Sequence, residues 1–324
     1  IVRVGKGRRH QQQLEQEMSY LLSVAESLSV QIDVDMDEDG YDDNDAFSAN
    51  AVSYIRSSVL RMTKRLNRRM SSHFANYSVV YVQKLYILLS RSPSSSFPRS
   101  LLSQLNDTQH WNSEEDYLLT IEDQETNQKA SHDATLKINS ASPRGINMAI
   151  ATIMQILSSK QTIASLPIHI YDYPKHAWRG LMIDVARHFF PLDMLKKTID
   201  GMELSKLNVL HLHLTDSQSF PISLEDSDDL PLSKLAEKGS LTGPDGQKRI
   251  YTLKDLKELV NYASRRGIEV IPEIDIPAHS SSWGEAFPDL VVTCPLYTEK
   301  LKLQRASRNS NDVFREKDIY SLDP

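Results

Sequence analysis

Apolar residues recur along this chain with two rhythms, one close to 3.6 residues and one close to 2, and each predicts its own element. Leu14, Met18, Leu21, Leu22, Ala25 and Leu28 keep helical spacing and predict an amphipathic helix near the start. Val52, Ile55, Val59, Met62 and Leu66 predict a second, whose other faces carry Arg56, Arg61, Lys64, Arg65, Arg68 and Arg69. That basic face reads either as a solvated surface or as a membrane- or partner-binding face. From Ser78 to Leu89 the rhythm shortens and a strand is expected, followed by a Ser/Pro-rich breaker at Ser92–Ser96 and Pro98. Tyr117–Glu122 and Ala134–Asn139 alternate like neighbouring strands. Ile146, Ala149, Ile150, Ile153 and Leu157 mark a helix, and Pro167–Ile170 a short strand. These predict a small α+β domain over residues 72–171, after a helical and acidic extension over residues 1–71.

The texture changes at Trp178. Arg179–Val185 is an apolar run broken by Asp184 and closed by Arg187 and His188. Leu195, Ile199 and Met202 mark a helix. Leu207–Phe220 then reads as a buried strand that gives way to Asp216, Ser217, Gln218 and Ser219. Thr252 with Asp255 resembles a capping box, Leu256, Leu259, Val260 and Ala263 form a helix face, and Gly267 suits the helix end. Ile268–Asp275 is the next strand, followed by Pro277, Ala278 and His279. The order β-α-β-α-β implies parallel strands joined by crossovers.

Composition narrows the picture. A net charge of -6 gives no reason to expect a nucleic acid partner. No apolar run is long enough for a membrane span. The lone Cys294 cannot form an internal disulfide and reads as a buried thiol. Eight acidic residues fall between Asp33 and Asp45, and they read as a solvated, disordered loop. A calcium loop is the alternative, since Asp35, Asp37, Asp39 and Gly40 match its first positions. Ala46 stands where the bidentate glutamate belongs, however. Asn76-Tyr77-Ser78 and Asn106-Asp107-Thr108 are glycosylation sequons.

Each of the parallel strands ends in polar residues: Arg187 and His188, then Asp216, then Asp275 and His279. In parallel α/β sheets the loops at the strand C-termini share one rim, so these clusters are expected to converge. Asp184 and Glu273 lie within their strands, where they serve either a structural ion pair or a polar pocket. His211 and His213 share a strand face and read as packed histidines or as metal ligands. No third ligand stands at a suitable spacing, so no metal site is expected.

These residues carry a family resemblance. Trp178-Arg179-Gly180-Leu181-Met182-Ile183-Asp184-Val185-Ala186-Arg187-His188-Phe189-Phe190-Pro191, Lys206-Leu207-Asn208-Val209, His211-Leu212-His213-Leu214-Thr215-Asp216, Arg266–Asp275 and His279 with Ser282-Trp283-Gly284 stand in an order similar to the family 20 glycoside hydrolases, the β-N-acetylhexosaminidases. The resemblance implies an α/β fold: the N-terminal part of a (β/α)8 TIM barrel, about three of its eight strands, over residues 172–324, with the small α+β domain before it. It implies exo-hydrolysis of terminal β-linked N-acetylhexosamine from glycans, by a retaining mechanism in which the sugar's own acetamido oxygen attacks the anomeric carbon. Arg187 would bind sugar hydroxyls. Asp216 and His279 would support the general acid, and Asp275 would stand behind them. No cofactor is implied. Lysosomal, vacuolar or secreted location and a homodimer of the full-length product are the corresponding expectations.

The sequence also departs from the family. The Asp-Glu pair that orients the acetamido group and donates the proton lies in a His-x-Gly-Gly-Asp-Glu motif, and no Gly-Gly-Asp-Glu occurs in these 324 residues. The chain stops at Pro324, before the strand that would carry it, so the chain alone is expected to be inactive and its open sheet aggregation-prone. Ser217 replaces a usual second acid. Ala278 replaces a usual glycine, which predicts a disturbed loop at His279. A glycan-binding relative without catalysis and a truncated product are the rival readings.

Overall fold

The structure, a computed structural model, describes residues 2–4, 29–35, 46–70, 81–90, 113–123, 133–158 and 167–292. The helix expected at Leu14–Leu28, both sequons, Cys294 and the acidic run beyond Asp35 lie outside the described residues. The chain divides into two compact units. One runs over Ile1–Ala177 with Glu203–Lys206 and Arg265–Gly267; the other comprises Trp178–Met202, Leu207–Ser264 and Ile268–Pro324.

In chain order the first unit holds β1 (Val2–Val4), β2 (Ser29–Asp35), α1 (Ala46–Met70), β3 (Tyr81–Ser90), β4 (Tyr117–Asp123), β5 (Asp133–Ser140), α2 (Pro143–Ser158) and β6 (Ile168–Asp172). The strands form one six-stranded sheet in the order β1-β2-β3-β5-β4-β6. β4 pairs antiparallel with both β5 and β6, while β1, β2, β3 and β5 run parallel. Register aligns Ile32, Ile87, Ile138, Leu119 and Ile170 in one row across five strands. That row and the parallel row of Leu85, Leu136 and Ile121 share an apolar core with Ile55, Val59 and Met62 of α1 and Ile146, Ala149 and Ile153 of α2. Burial of these side chains, each worth about 1.5–3 kcal/mol relative to exposure, joins helices to sheet.

This corrects the boundary expected near residue 71. β2 is hydrogen-bonded along its length to β3, and α1 contributes to the same core, so the described part of residues 1–71 is integral to this unit. Asp33 and Asp35 stand in a strand, not in a loop. The basic face of α1 is not simply solvated either. Arg61 and Arg65 converge on the buried carboxylate of Glu203, at 2.7 and 3.0 Å.

The second unit contains β7 (Gly180–Asp184), α3 (Leu192–Leu204, its last two residues clustering with the first unit), β8 (Val209–Thr215), α4 (Ser233–Gly239), α5 (Leu253–Ser264) and β9 (Glu269–Ile274). The three strands are parallel, with β8 in the middle. The alternation in β8 sorts its side chains. Leu210, Leu212 and Leu214 enter an apolar cluster with Leu195, Ile199 and Met202 of α3 and Leu259 and Ala263 of α5. His211 and His213 occupy the opposite face, in register with Met182 and Asp184 of β7 and with Ile271 and Glu273 of β9. That face is open at its margin, where Met182 is 56% exposed.

Both ends of α5 are set by local chemistry. The Thr252 hydroxyl accepts the Asp255 amide at 3.1 Å, and the Asp255 carboxylate accepts the Thr252 amide at 2.9 Å, completing the reciprocal cap. At the other end Gly267 adopts φ +73°, and the Ile268 amide turns back to the Ala263 carbonyl at 3.1 Å. Among the described residues no helix is long and apolar enough to cross a membrane.

Candidate functional site

The three parallel strands end together in sequence register, and their polar termini meet as expected. After β7, the Asp184 carboxylate accepts the backbone amides of Ala186 and Arg187 at 3.1 and 2.9 Å, which turns the chain sharply and brings Arg187 back over it. The Arg187 guanidinium then divides. Nη1 donates to Asp184 at 2.8 Å and Nη2 to Asp216 Oδ2 at 2.6 Å. Burial works against ionisation of Asp184, but the amide and guanidinium of Arg187 outweigh it and hold the carboxyl below its usual range. Burial likewise opposes the charge on Arg187, and Asp184, Asp216 and Asp275 together raise its pKa further.

After β8, Asp216 and Ser219 exchange backbone hydrogen bonds at 3.1 and 3.2 Å, closing a tight turn over Ser217 and Gln218. The Asp216 side chain is 1% exposed and fully engaged. Its Oδ1 accepts the Ser217 amide at 2.6 Å, and its Oδ2 faces His213 Nε2 at 2.9 Å as well as Arg187. A buried carboxylate needs this compensation, because ions leave water at a cost of several kcal/mol.

After β9, the Asp275 amide donates to Thr215 Oγ1 at 3.2 Å, and the Asp275 carboxylate faces His279 Nδ1 at 2.8 Å. The loop in which Ala278 replaces the family's usual glycine carries an unusual backbone conformation of its own. Within the loop after β9, the left-handed conformation falls on His279 itself, at φ 58°, and not on residue 278. Histidine is among the side chains that enter this region more readily. The Ser280 hydroxyl donates to the carbonyls of Pro277 and Ala278 at 2.8 and 2.9 Å and braces the turn. Two further hydroxyls tie this loop to the one after β8: Ser282 to the Asp216 carbonyl at 2.7 Å and Ser281 to the Ser217 carbonyl at 3.0 Å.

The rim thus holds two linked pairs, Arg187 with Asp216 and Asp275 with His279. No hydrogen bond joins Asp216 directly to His279 among the described residues. What sequence reasoning missed is the ladder beneath the rim. Glu273 Oε2 lies 3.0 Å from His213 Nδ1 and 2.6 Å from His211 Nε2, so the histidines of β8 are neither merely packed nor alone. The period-two spacing puts His211 and His213 on one face, but their partner becomes visible only with the register of β8 on β9.

His213, Asp216 and Asp275 bring ligand atoms within 4.8 Å of one another, a geometry that could hold a metal ion. Asp216 Oδ2 already faces a cation, the Arg187 guanidinium, at 2.6 Å. The donor set therefore fits an arginine clamp better than a metal.

The second unit is thus of the parallel α/β class, with a charged, hydrogen-bonding rim at its strand ends. Comparison narrows the class. Residues 176–321 match the family described as glycosyl hydrolase family 20, catalytic domain, and over this part the chain resembles the family 20 glycoside hydrolases. It is 43% identical over 128 residues to beta-hexosaminidase 3 of Arabidopsis thaliana, covering 40% of this chain and 22% of that protein. It is 39% identical over 159 residues to beta-hexosaminidase subunit beta of Entamoeba histolytica, covering 48% and 26%. A solved structure of a chitobiase from Flavobacterium johnsoniae superposes with a TM-score of 0.54 at 26% identity, over 87% of this chain and 39% of that one. The chain spans about a quarter of the length of these curated relatives.

Proposed function

We propose that the second unit supplies one side of the sugar-binding pocket of a β-N-acetylhexosaminidase. Such an enzyme removes terminal β-linked N-acetylhexosamine by the substrate-assisted retaining route. The observation that carries this reading is the Arg187 guanidinium, held between Asp184 and Asp216 at the strand ends with part of its surface open. A rigid planar donor of this kind suits a vicinal pair of sugar hydroxyls. Asp216 fixes the guanidinium, and Asp275 fixes the His279 ring, which is exposed and able to face a bound sugar or a neighbouring acid.

The general acid is not among these residues: no Gly-Gly-Asp-Glu occurs in the sequence. On this reading the acid and the group that orients the acetamido oxygen come from βα units that complete a (β/α)8 barrel. The family's lysosomal, vacuolar or secreted setting, and dimerisation of a full-length product, belong to the same proposal. A glycan-binding protein that does not cleave would use the same arginine clamp, and turnover separates the two.

The test is hydrolysis of an aryl β-N-acetylglucosaminide by the product of the whole reading frame that contains this sequence. Arg187→Ala is expected to lower kcat/KM by about 10- to 100-fold, the value of one charged hydrogen bond of 1.5–3 kcal/mol. Unchanged turnover in the variant would remove Arg187 from the pocket. Sugar binding without any turnover in the unaltered product would favour the non-cleaving reading.

A further inference from the structure

We propose that His213 and Glu273 are positioning residues for the Arg187 clamp: His213, held as an imidazolium between Glu273 and Asp216, fixes the Asp216 carboxylate so that its Oδ2 stays on the guanidinium. The inference rests on the sugar-pocket reading above and adds to it the group that aims its arginine.

Geometry carries the protonation state. His213 Nε2 lies 2.9 Å from Asp216 Oδ2, and Nδ1 lies 3.0 Å from Glu273 Oε2. A neutral imidazole has one N–H and one lone pair, so one ring nitrogen would press a lone pair against a carboxylate; only the doubly protonated ring donates to both. His213 is buried, so the carboxylates are its main partners. Charge agrees. The groups around the ring are Asp216 on its own strand end, Asp184 at the end of β7, Glu273 and Asp275 on the β9 side, and Arg187. His211 shares Glu273 with it. His279 lies on Asp275 at the rim, and within the site four carboxylates face one guanidinium, so a second cation in the middle offsets part of their mutual repulsion.

Without that cation the ring has one N–H for two carboxylates, so either Asp216 or Glu273 is left against a bare lone pair, and Arg187 must bridge acids that repel one another. The clamp then has no fixed orientation toward a sugar. Burial lowers the tendency of His213 to protonate, but Asp216 and Glu273 outweigh it and raise its pKa above 6.5; the histidines hold Glu273 below 4.5. The raised group contributes fully below 6.5 and is lost as pH rises through its higher folded value. The depressed group contributes above 4.5 and is lost as pH falls through its lower one. The bridge is therefore most complete between those two values.

The test is the ring and guanidinium ¹⁵N spectrum of the 324-residue chain between about pH 5 and about pH 9, with His213 assigned by its loss in His213→Gln. The expected result is an imidazolium pattern for His213 at pH values where an exposed histidine is already neutral. In Glu273→Gln its midpoint is expected to fall by about one pH unit or more, a tenfold change in proton affinity, with loss of the slowed rotation of the Arg187 guanidinium. A neutral His213 ring near pH 6.5 in the unaltered chain overturns the proposal, and this arm needs no folded variant. So does Glu273→Gln that leaves both signals in place. Titration of the product of the whole reading frame with N-acetylglucosamine separates the two readings: no response at Arg187 sinks the sugar pocket, while the ring titration still decides the bridge.

Discussion

The two sheets of this protein put the same kinds of strand to different use. In the first unit a single apolar row crosses five strands, and helices α1 and α2 share its core. In the second unit the sheet divides by face: leucines of β8 pack with helices on one side, and histidines, acids and Met182 occupy the other. The first sheet spends its side chains on cohesion. The second gives up half of its central strand to polar groups that can be compensated only by one another. Chemistry is concentrated where packing has been surrendered, and at the end of the strands where loops give the polar groups reach.

The contrast predicts a graded series of stability losses. Ile138 is buried in the middle of the apolar row, and Ile138→Ala should cost about 3 kcal/mol through lost transfer energy and the cavity it leaves. Urea unfolding followed by far-UV circular dichroism measures this. A loss below about 1 kcal/mol would mean that the row is loosely packed. Thr252→Ala should remove the reciprocal cap of α5 at a cost of about 1 kcal/mol, and Thr252→Ser should restore most of it. Smallest of all, Met182→Ser on the open face should change stability by no more than about 0.5 kcal/mol. If Met182→Ser proved as costly as Ile138→Ala, the open face would be covered in solution, and the contrast between the sheets would fail.

Much of this organisation was legible in the chain, and the illegible parts share one cause. Helix α5 could be read from Thr252 to Gly267 because a reciprocal cap and a left-handed glycine are local devices. The strands of the second unit could be read because Leu210, Leu212 and Leu214 alternate with histidines. β2 also alternates, with Val30, Ile32 and Val34, but its acids pointed to a loop. Its pairing with β3, a strand about 50 residues further on, is a tertiary fact that no local propensity records. The same holds for the site. Arg187, Asp216, Asp275 and His279 were marked by standing at strand ends. That Arg187 divides between Asp184 and Asp216, and that Glu273 bridges His211 and His213, depends on register between strands. For α1, helical spacing showed the apolar stripe but not the carboxylate of Glu203 that takes Arg61 and Arg65.

The hydroxyls of Ser281 and Ser282 have a consequence for anyone rebuilding this rim. They bind backbone carbonyls of Ser217 and Asp216, so their grip does not depend on which side chains those positions carry. Residues 276–279 choose what the loop after β9 presents, whereas residues 281–282 choose where it is moored. Presentation and alignment are thus written in adjacent but separable segments. A library that varies the first and keeps the second would explore new ligands without losing the frame that holds them.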